Sequence, residues 1–122
     1  MPKPPQHYVR FIRWFDEIGL DDLTLAGGKN ASLGELARFL GGSIKVPEGF
    51  VITADAYRQT IDRDNLWQRM MVILDQTDWR NPKATGPASA TLHAMVQNAR
   101  LPDGLVADIE FAYRRLEREF GR

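Results

Sequence analysis

There is no cysteine among the 122 residues. A disulfide framework, a thiolate nucleophile and Cys-ligated zinc or iron–sulfur sites are therefore excluded. Histidine is nearly as scarce: His7 and His93 are the only two, and neither has a partner at metal-ligand spacing, which removes a histidine zinc centre. Excess charge of one sign is also missing, because 16 Lys and Arg stand against 16 Asp and Glu and each half of the chain is balanced separately. Without a concentrated basic surface, counterion release on a polyanion has little to work with, so bulk nucleic-acid binding is disfavoured. The longest uninterrupted apolar run is Met70 to Leu74, far below the ~20 residues that span a bilayer. The opening Met-Pro-Lys-Pro-Pro-Gln-His has no apolar signal-peptide core, and a cytoplasmic protein without nucleic-acid or membrane partners is the expectation.

What is there reads as one soluble domain, since a chain of this length buries roughly two-thirds of its unfolded surface without help from metals or disulfides. Residues 1–7 are Pro-rich and polar and are expected to be an extended leader, with a single domain over 8–122. Tyr8 to Phe15 is dense in β-branched and aromatic residues and reads as a strand, followed by a loop from Ile18 to Ala26. From Gly27 the pattern becomes helical, with Leu33, Leu36, Ala37 and Leu40 on the inward stripe and Gly41-Gly42 as the C-terminal cap. A second strand is expected over Gly49 to Ile52, then a helix capped by Thr53 and running through Tyr57 and Ile61. Leu66, Met70, Ile73 and Leu74 predict another helix, with breaks at Asn81-Pro82 and at Gly86-Pro87. Two more stripes follow: Leu92, Met95, Val96 and Ala99, then Leu105, Ile109, Tyr113, Leu116 and Phe120. The sum is an α+β domain, mostly helical with a small sheet: about five helices and two or three short strands.

Chemistry is concentrated in Gly27-Gly28-Lys29-Asn30-Ala31-Ser32-Leu33-Gly34-Glu35. Two glycines let backbone N–H groups approach an anion, a helix start supplies unpaired donors and the positive dipole end, and Lys29 adds a mobile charge. Gly27, Gly28, Lys29, Asn30 and Ser32 are thus the candidate phosphate-binding residues. The same pattern also describes a plain turn and helix start with a solvated lysine, and the spacing is not that of a Walker A loop. His93 sits between Leu92 and Met95 on a helix and reads as structural. Asp21-Asp22 and the pair Asp62 and Asp64 read as turn chemistry, with no metal or catalytic assignment. Trp67, Met70, Met71 and Leu74 suit either a core stripe or a partner-binding face, and Trp79 adds to the second possibility.

Three consecutive segments go further. Trp14-Phe15-Asp16-Glu17-Ile18-Gly19-Leu20, then Leu25 to Leu36 with the Gly-Gly-Lys stretch at its centre, then Lys45-Val46-Pro47-Glu48-Gly49-Phe50-Val51-Ile52-Thr53-Ala54-Asp55-Ala56-Tyr57 stand in order over about residues 8–58. This arrangement resembles the amino-terminal start of the phosphoenolpyruvate synthase and pyruvate phosphate dikinase family, whose layout rifampin phosphotransferase shares. No motif beyond residue 60 adds to the likeness.

The resemblance implies the N-terminal portion of an ATP-grasp-type nucleotide-binding domain, with the lysine matching Lys29 on the ATP phosphates. In the family, MgATP phosphorylates a histidine on a swivelling domain, and the phosphohistidine then phosphorylates pyruvate in a barrel domain. The family's Val-Arg-Ser-Ser segment, its magnesium carboxylates and its Ser-His-Ala histidine motif have no counterpart in these residues, and His93 is not in such a motif. ATP with Mg²⁺ and the remaining enzyme domains are accordingly the implied ligand and partners, and the isolated chain is expected to show no turnover. The other expectation left open is a non-catalytic module that docks on a partner protein through its helical second half.

Overall fold

The computed structural model describes residues 11–43 and 45–121. The expected leader with His7, and residues 8–10 of the expected first strand, lie outside them. Six α-helices and two short strands make up the described chain, which confirms a mostly helical α+β protein. It divides into two compact units, one of residues 11–57 with 103–121, the other of residues 58–102.

In the first unit, β1 (Ile12–Trp14) pairs antiparallel with β2 (Phe50–Ile52), placing Ile12 opposite Ile52, Arg13 opposite Val51 and Trp14 opposite Phe50. Two further backbone bonds extend the ladder: the Phe15 N–H donates to the Gly49 carbonyl at 3.0 Å and the Thr53 N–H to that of Phe11 at 2.9 Å. Among the described residues the first strand stops at Trp14, one residue before its expected end. Glu17 accepts a hydrogen bond from the Trp14 N–H at 2.9 Å, and Phe15–Glu17 turns into a 3-10 helix instead of remaining extended. The Trp14 N–H points away from β2, because the ladder bonds fall at Phe11 and Phe15, so the carboxylate satisfies a donor that the strand pair leaves open.

The expected loop after it is also more ordered. Leu20–Asp22 is a 3-10 turn held by the Asp22 carboxylate on the Gly19 N–H at 3.0 Å, and α1 (Leu23–Ala26) follows directly. The long helix α2 is Gly28–Leu40. Its buried residues are Ala31 and Gly34, while Leu33, Ala37 and Leu40 are half-buried and Leu36 is exposed. The inward stripe is therefore narrower than the leucine spacing predicts, because small residues let the helix backbone come close to Ile18. α2 ends at Leu40 with Gly41 at the C-terminal cap, as expected, its backbone still right-handed.

Thr53 occupies the position just before α3 (Ala54–Asp62) and is almost fully buried; its carbonyl accepts from the Ala56 N–H at 3.1 Å. Ala56 and Ile61 are the buried residues of this helix, Ile61 as expected, whereas Tyr57 is exposed. Phe11, Ala56 and Leu105 form one core cluster with Ile109 against it, and Ile18, Ala26 and Val51 form another with Phe15. The last helix, α6 (Leu105–Phe120), buries Leu105 and Ala112, with Ile109 and Leu116 half-buried. These four lie within a few tens of degrees of one line at about 100° per residue. Tyr113 and Phe120, expected inside, fall off that line and are exposed.

The second unit is built on α4 (Leu66–Gln76) and α5 (Pro82–Gln97). Leu66 is buried, with Met70, Met71, Ile73 and Leu74 half-buried behind it. The Trp79 indole N–H donates to the Leu74 carbonyl at 2.9 Å, satisfying one of the open carbonyls at the end of α4. The expected break at Gly86-Pro87 does not occur, and α5 runs through both residues. Asn81 caps its start, accepting from the Lys83 N–H at 3.0 Å, and Pro82 occupies the first helical position, where its missing donor costs nothing. That strong start carries the helix past Pro87, whose missing N–H removes one bond near the second turn. Inward-facing residues are Leu92, Met95 and Ala99 in part, while Val96, also expected inside, is exposed. No helix among the described residues is long and apolar enough to cross a membrane.

Candidate functional site

The glycine-rich segment is a junction between two helices. Gly27 ends α1, its N–H donating to the Leu23 carbonyl at 2.9 Å, and its own carbonyl accepts from Ala31 at 2.9 Å to begin α2. Its backbone stands at φ 79°, ψ 159°, a conformation that is essentially reserved for glycine. A side chain here would meet nothing within 4 Å, so the demand for glycine is conformational and not steric. Gly28 differs: it is the first helical residue with negative φ, and an added Cβ would make an ordinary 3.7 Å contact with Leu23.

At the N-terminus of α2 the first-turn N–H groups have no intrahelical acceptor. No side chain caps them and no acidic residue occupies the first turn. The site therefore keeps its donors and its positive helix end available to an anion, undiminished by a neighbouring carboxylate. Gly27, Gly28, Lys29 and Ser32 are all exposed, and Ser32 lies one turn from Gly28 on the same side of the helix. Four of the five expected residues are thus brought to one solvent-facing surface.

Asn30 is placed otherwise. It is half-buried and its side-chain amide donates to the Ala26 carbonyl at 2.9 Å, tying the end of α1 to the start of α2. Glu35, not singled out for any role in the sequence, has a similar duty: its carboxylate accepts from the Leu20 N–H at 3.1 Å. Only long-range pairing reveals it, because Leu20 is fifteen residues away. The nine-residue segment accordingly separates into an exposed part facing solvent and a structural part, Asn30, Ala31, Gly34 and Glu35, that fixes the helix in place.

The remaining candidates stay apart from this surface. Asp22 is consumed by its turn, His93 is an exposed residue of α5, and no group of three or more His, Asp or Glu among the described residues could hold a metal ion. Trp67 and Trp79 are each 45% exposed in the second unit. Leu20, Leu23, Leu36 and Phe39, on α2 and the segments packed on it, also expose apolar surface, Phe39 most of all at 71%.

Residues 23–122 match the family model described as pyruvate phosphate dikinase, AMP/ATP-binding domain, and the chain belongs to that family. Among curated relatives, it is 35% identical over 112 residues to a probable phosphoenolpyruvate synthase of Staphylothermus marinus, covering 92% of this chain and 13% of that protein. It is 37% identical over 108 residues to a probable phosphoenolpyruvate synthase of Methanocaldococcus jannaschii, covering 88% of this chain and 9% of that one. The phosphoenolpyruvate synthase of Escherichia coli is 35% identical over 106 residues, or 86% of this chain and 13% of the relative. The chain therefore spans only a small fraction of the length of these relatives. The likeness reaches well past residue 60, where the sequence alone offers no motif.

Proposed function

We propose that this chain is an ATP-binding lobe of a phosphoenolpyruvate-synthase-like phosphotransferase, and that Gly27, Gly28 and Lys29 receive the nucleotide's phosphates. The observation that carries this reading is the uncapped, acid-free start of α2, with both glycines and Lys29 exposed together. It lies within the span matched by an AMP/ATP-binding family. Ser32 adds a hydroxyl on the same side; Asn30 acts through the α1–α2 junction, its side-chain donor being engaged with Ala26. Residues 8–122 are read as one lobe of an ATP-grasp-type domain in a cytoplasmic enzyme.

Phosphoryl transfer depends on positioning and on charge stabilisation from all sides of the phosphates. The donors here line one side. In this reading the metal ligands, the opposing cationic wall, the phosphohistidine domain and the pyruvate-binding barrel belong to the rest of a larger enzyme. The chain alone binds ATP weakly and turns over nothing.

Calorimetric titration of MgATP into the chain tests the site. Lys29→Ala is expected to weaken binding about tenfold, the scale of one charge-assisted contact. Gly28→Ala should fold as well as the parent, since its Cβ fits beside Leu23, yet it should weaken ATP binding by obstructing the phosphate's approach. Undiminished affinity in both variants would remove the assignment.

A second reading, a docking module without catalysis, draws on the exposed Leu36 and Phe39 of α2 and on Trp67 and Trp79. Exposed apolar side chains in either unit should drive concentration-dependent association of the chain. Sedimentation velocity would then show faster species as concentration rises, and a monomer throughout would count against this reading.

A further inference from the structure

We propose that Asn30 is a positioning residue for the nucleotide's phosphates: its side chain takes the place of its own backbone N–H at the Ala26 carbonyl, and so keeps three first-turn N–H groups of α2 open. The proposal rests on the nucleotide reading above. Ala26 stands four residues before Asn30, the interval at which an uninterrupted helix pairs a carbonyl with a backbone N–H. Here the pairing is made by the side chain instead, Asn30 Nδ2 donating to the Ala26 carbonyl at 2.9 Å. The chain turns at Gly27 (φ 79°, ψ 159°), and the first backbone bond of α2 runs from the Ala31 N–H to the Gly27 carbonyl at 2.9 Å. Among the described residues the N–H groups of Gly28, Lys29 and Asn30 have no backbone acceptor.

The alternative to this arrangement is a single helix. α1 and α2 are separated by Gly27 alone, and a glycine can also take right-handed helical backbone. Were it to do so, the carbonyls of Thr24, Leu25 and Ala26 would accept from the N–H groups of Gly28, Lys29 and Asn30, and all three donors would be consumed. The four residues of α1 cannot hold the choice by themselves, since so short a helix is marginal without outside contacts. By occupying the Ala26 carbonyl, the Asn30 amide blocks the fused ladder and releases the Asn30 N–H. Its half-buried position restricts the side chain, so the clip is in place before a ligand arrives and part of the ordering cost of binding is already met. The contribution of Glu35 is different: it holds the Leu20 N–H, ahead of α1, and sets no donor free. A phosphate then meets three N–H donors and the Lys29 ammonium without having to break a backbone bond.

The test pairs amide hydrogen exchange with calorimetric titration of MgATP on the whole chain. Asn30→Leu keeps the branched shape of the side chain and removes the donor, Asn30→Ala removes the donor with nothing added to the half-buried position, and Asn30→Gln keeps an amide. In the parent the backbone N–H of residue 30 should exchange freely. In the Leu and Ala variants it should gain about tenfold protection, as it takes the Ala26 carbonyl, and MgATP affinity should fall about tenfold. Asn30→Gln should restore both, which a residue needed only to fill space would not do. The Thr53 N–H, bonded to the Phe11 carbonyl beside the sheet, reports whether each variant has kept its fold. An unprotected N–H at residue 30 in both the Leu and Ala variants would overturn the proposal. Parent-like affinity in those variants alongside a loss in Lys29→Ala would overturn the role of Asn30 alone and leave the nucleotide reading standing. A parent chain that binds no MgATP would overturn both.

Discussion

Gly34→Ala should lower the melting temperature by roughly 10 °C, and Gly34→Val should leave no cooperative unfolding transition. A Cβ built at Gly34 falls inside contact distance of the Ile18 carbonyl oxygen, 2.8 Å from Ile18 Cγ1 and 2.9 Å from the Ile18 carbonyl carbon. Two of those atoms are backbone, so a rotamer change cannot relieve the clash and α2 must move away from Ile18, a fully buried core residue. Overpacking of this kind costs about 1–3 kcal/mol for one methyl and more for a branched side chain, and at this chain length each kcal/mol is worth roughly 3–5 °C. Gly42→Ala is the matched control: an added Cβ there meets nothing within 4 Å and should leave the transition unmoved. Differential scanning calorimetry of the two variants decides the matter, and an unchanged transition for Gly34→Ala would refute close packing of α2 on Ile18. The result bears on function as well. It would assign the third glycine of the Gly-Gly-Lys-Asn-Ala-Ser-Leu-Gly-Glu segment to packing, leaving the first two for the phosphate.

Trp14→Ala should cost about 3–5 kcal/mol of unfolding free energy, the usual range for truncating a large buried aromatic. Trp14 is 9% exposed at the end of β1, its ring centroid 5.5 Å from that of Phe50 on the paired strand and tilted by 59° to it. On its other side the Arg115 guanidinium of α6 lies 4.1 Å from the ring centroid. The guanidinium is held there by Glu119, whose hydrogen bond at 3.0 Å raises the arginine's pKa above its usual value; Asp16 and Glu48 add smaller contributions of the same sign. Trp14 thereby ties the sheet to the C-terminal helix. Denaturant unfolding followed by circular dichroism gives the loss directly, without mixing the emission of Trp67 and Trp79. Trp14→Phe should retain most of the stability. In a double-mutant cycle with Arg115→Ala, the coupling should be about 0.5–1 kcal/mol, the scale of an exposed cation–π contact. A loss below 1 kcal/mol for Trp14→Ala would mean that the helix is held to the sheet by other contacts.

Much of the fold is legible in the chain because its signals are local. The periodicities of residues 28–40, 66–76 and 105–120 mark helices, and the β-branched and aromatic residues around 12–14 and 50–52 mark the strands. The errors have specific causes. Pro87 is read as a break because proline opposes a helix interior, but the Asn81 cap and Pro82 at the first helical position begin α5 strongly enough to continue through it. Leu36, Tyr113 and Phe120 are read as buried from type and approximate spacing, yet a helix stripe is only as wide as the surface it packs on, and these residues lie outside it. Glu17 and Asp22 bend segments that composition suggests are extended or irregular, by bonding backbone N–H groups three residues away.

The candidate site shows the same division. The sequence by itself determined which residue types were available: no thiol, only two histidines, no excess of basic over acidic side chains, and one segment whose glycines and lysine suit a phosphate. Its order of motifs also determined the family, because three segments in one register are far more specific than any single turn. Only the tertiary structure decided how the segment's residues divide their work. Asn30 and Glu35 are polar and near the lysine in sequence, but their partners are the Ala26 carbonyl and the Leu20 N–H, and Gly34 meets the backbone of Ile18. Residue type sets what a side chain can do; its nearest neighbour in space, set by helix packing and chain reversal, decides which of those capacities is already spent.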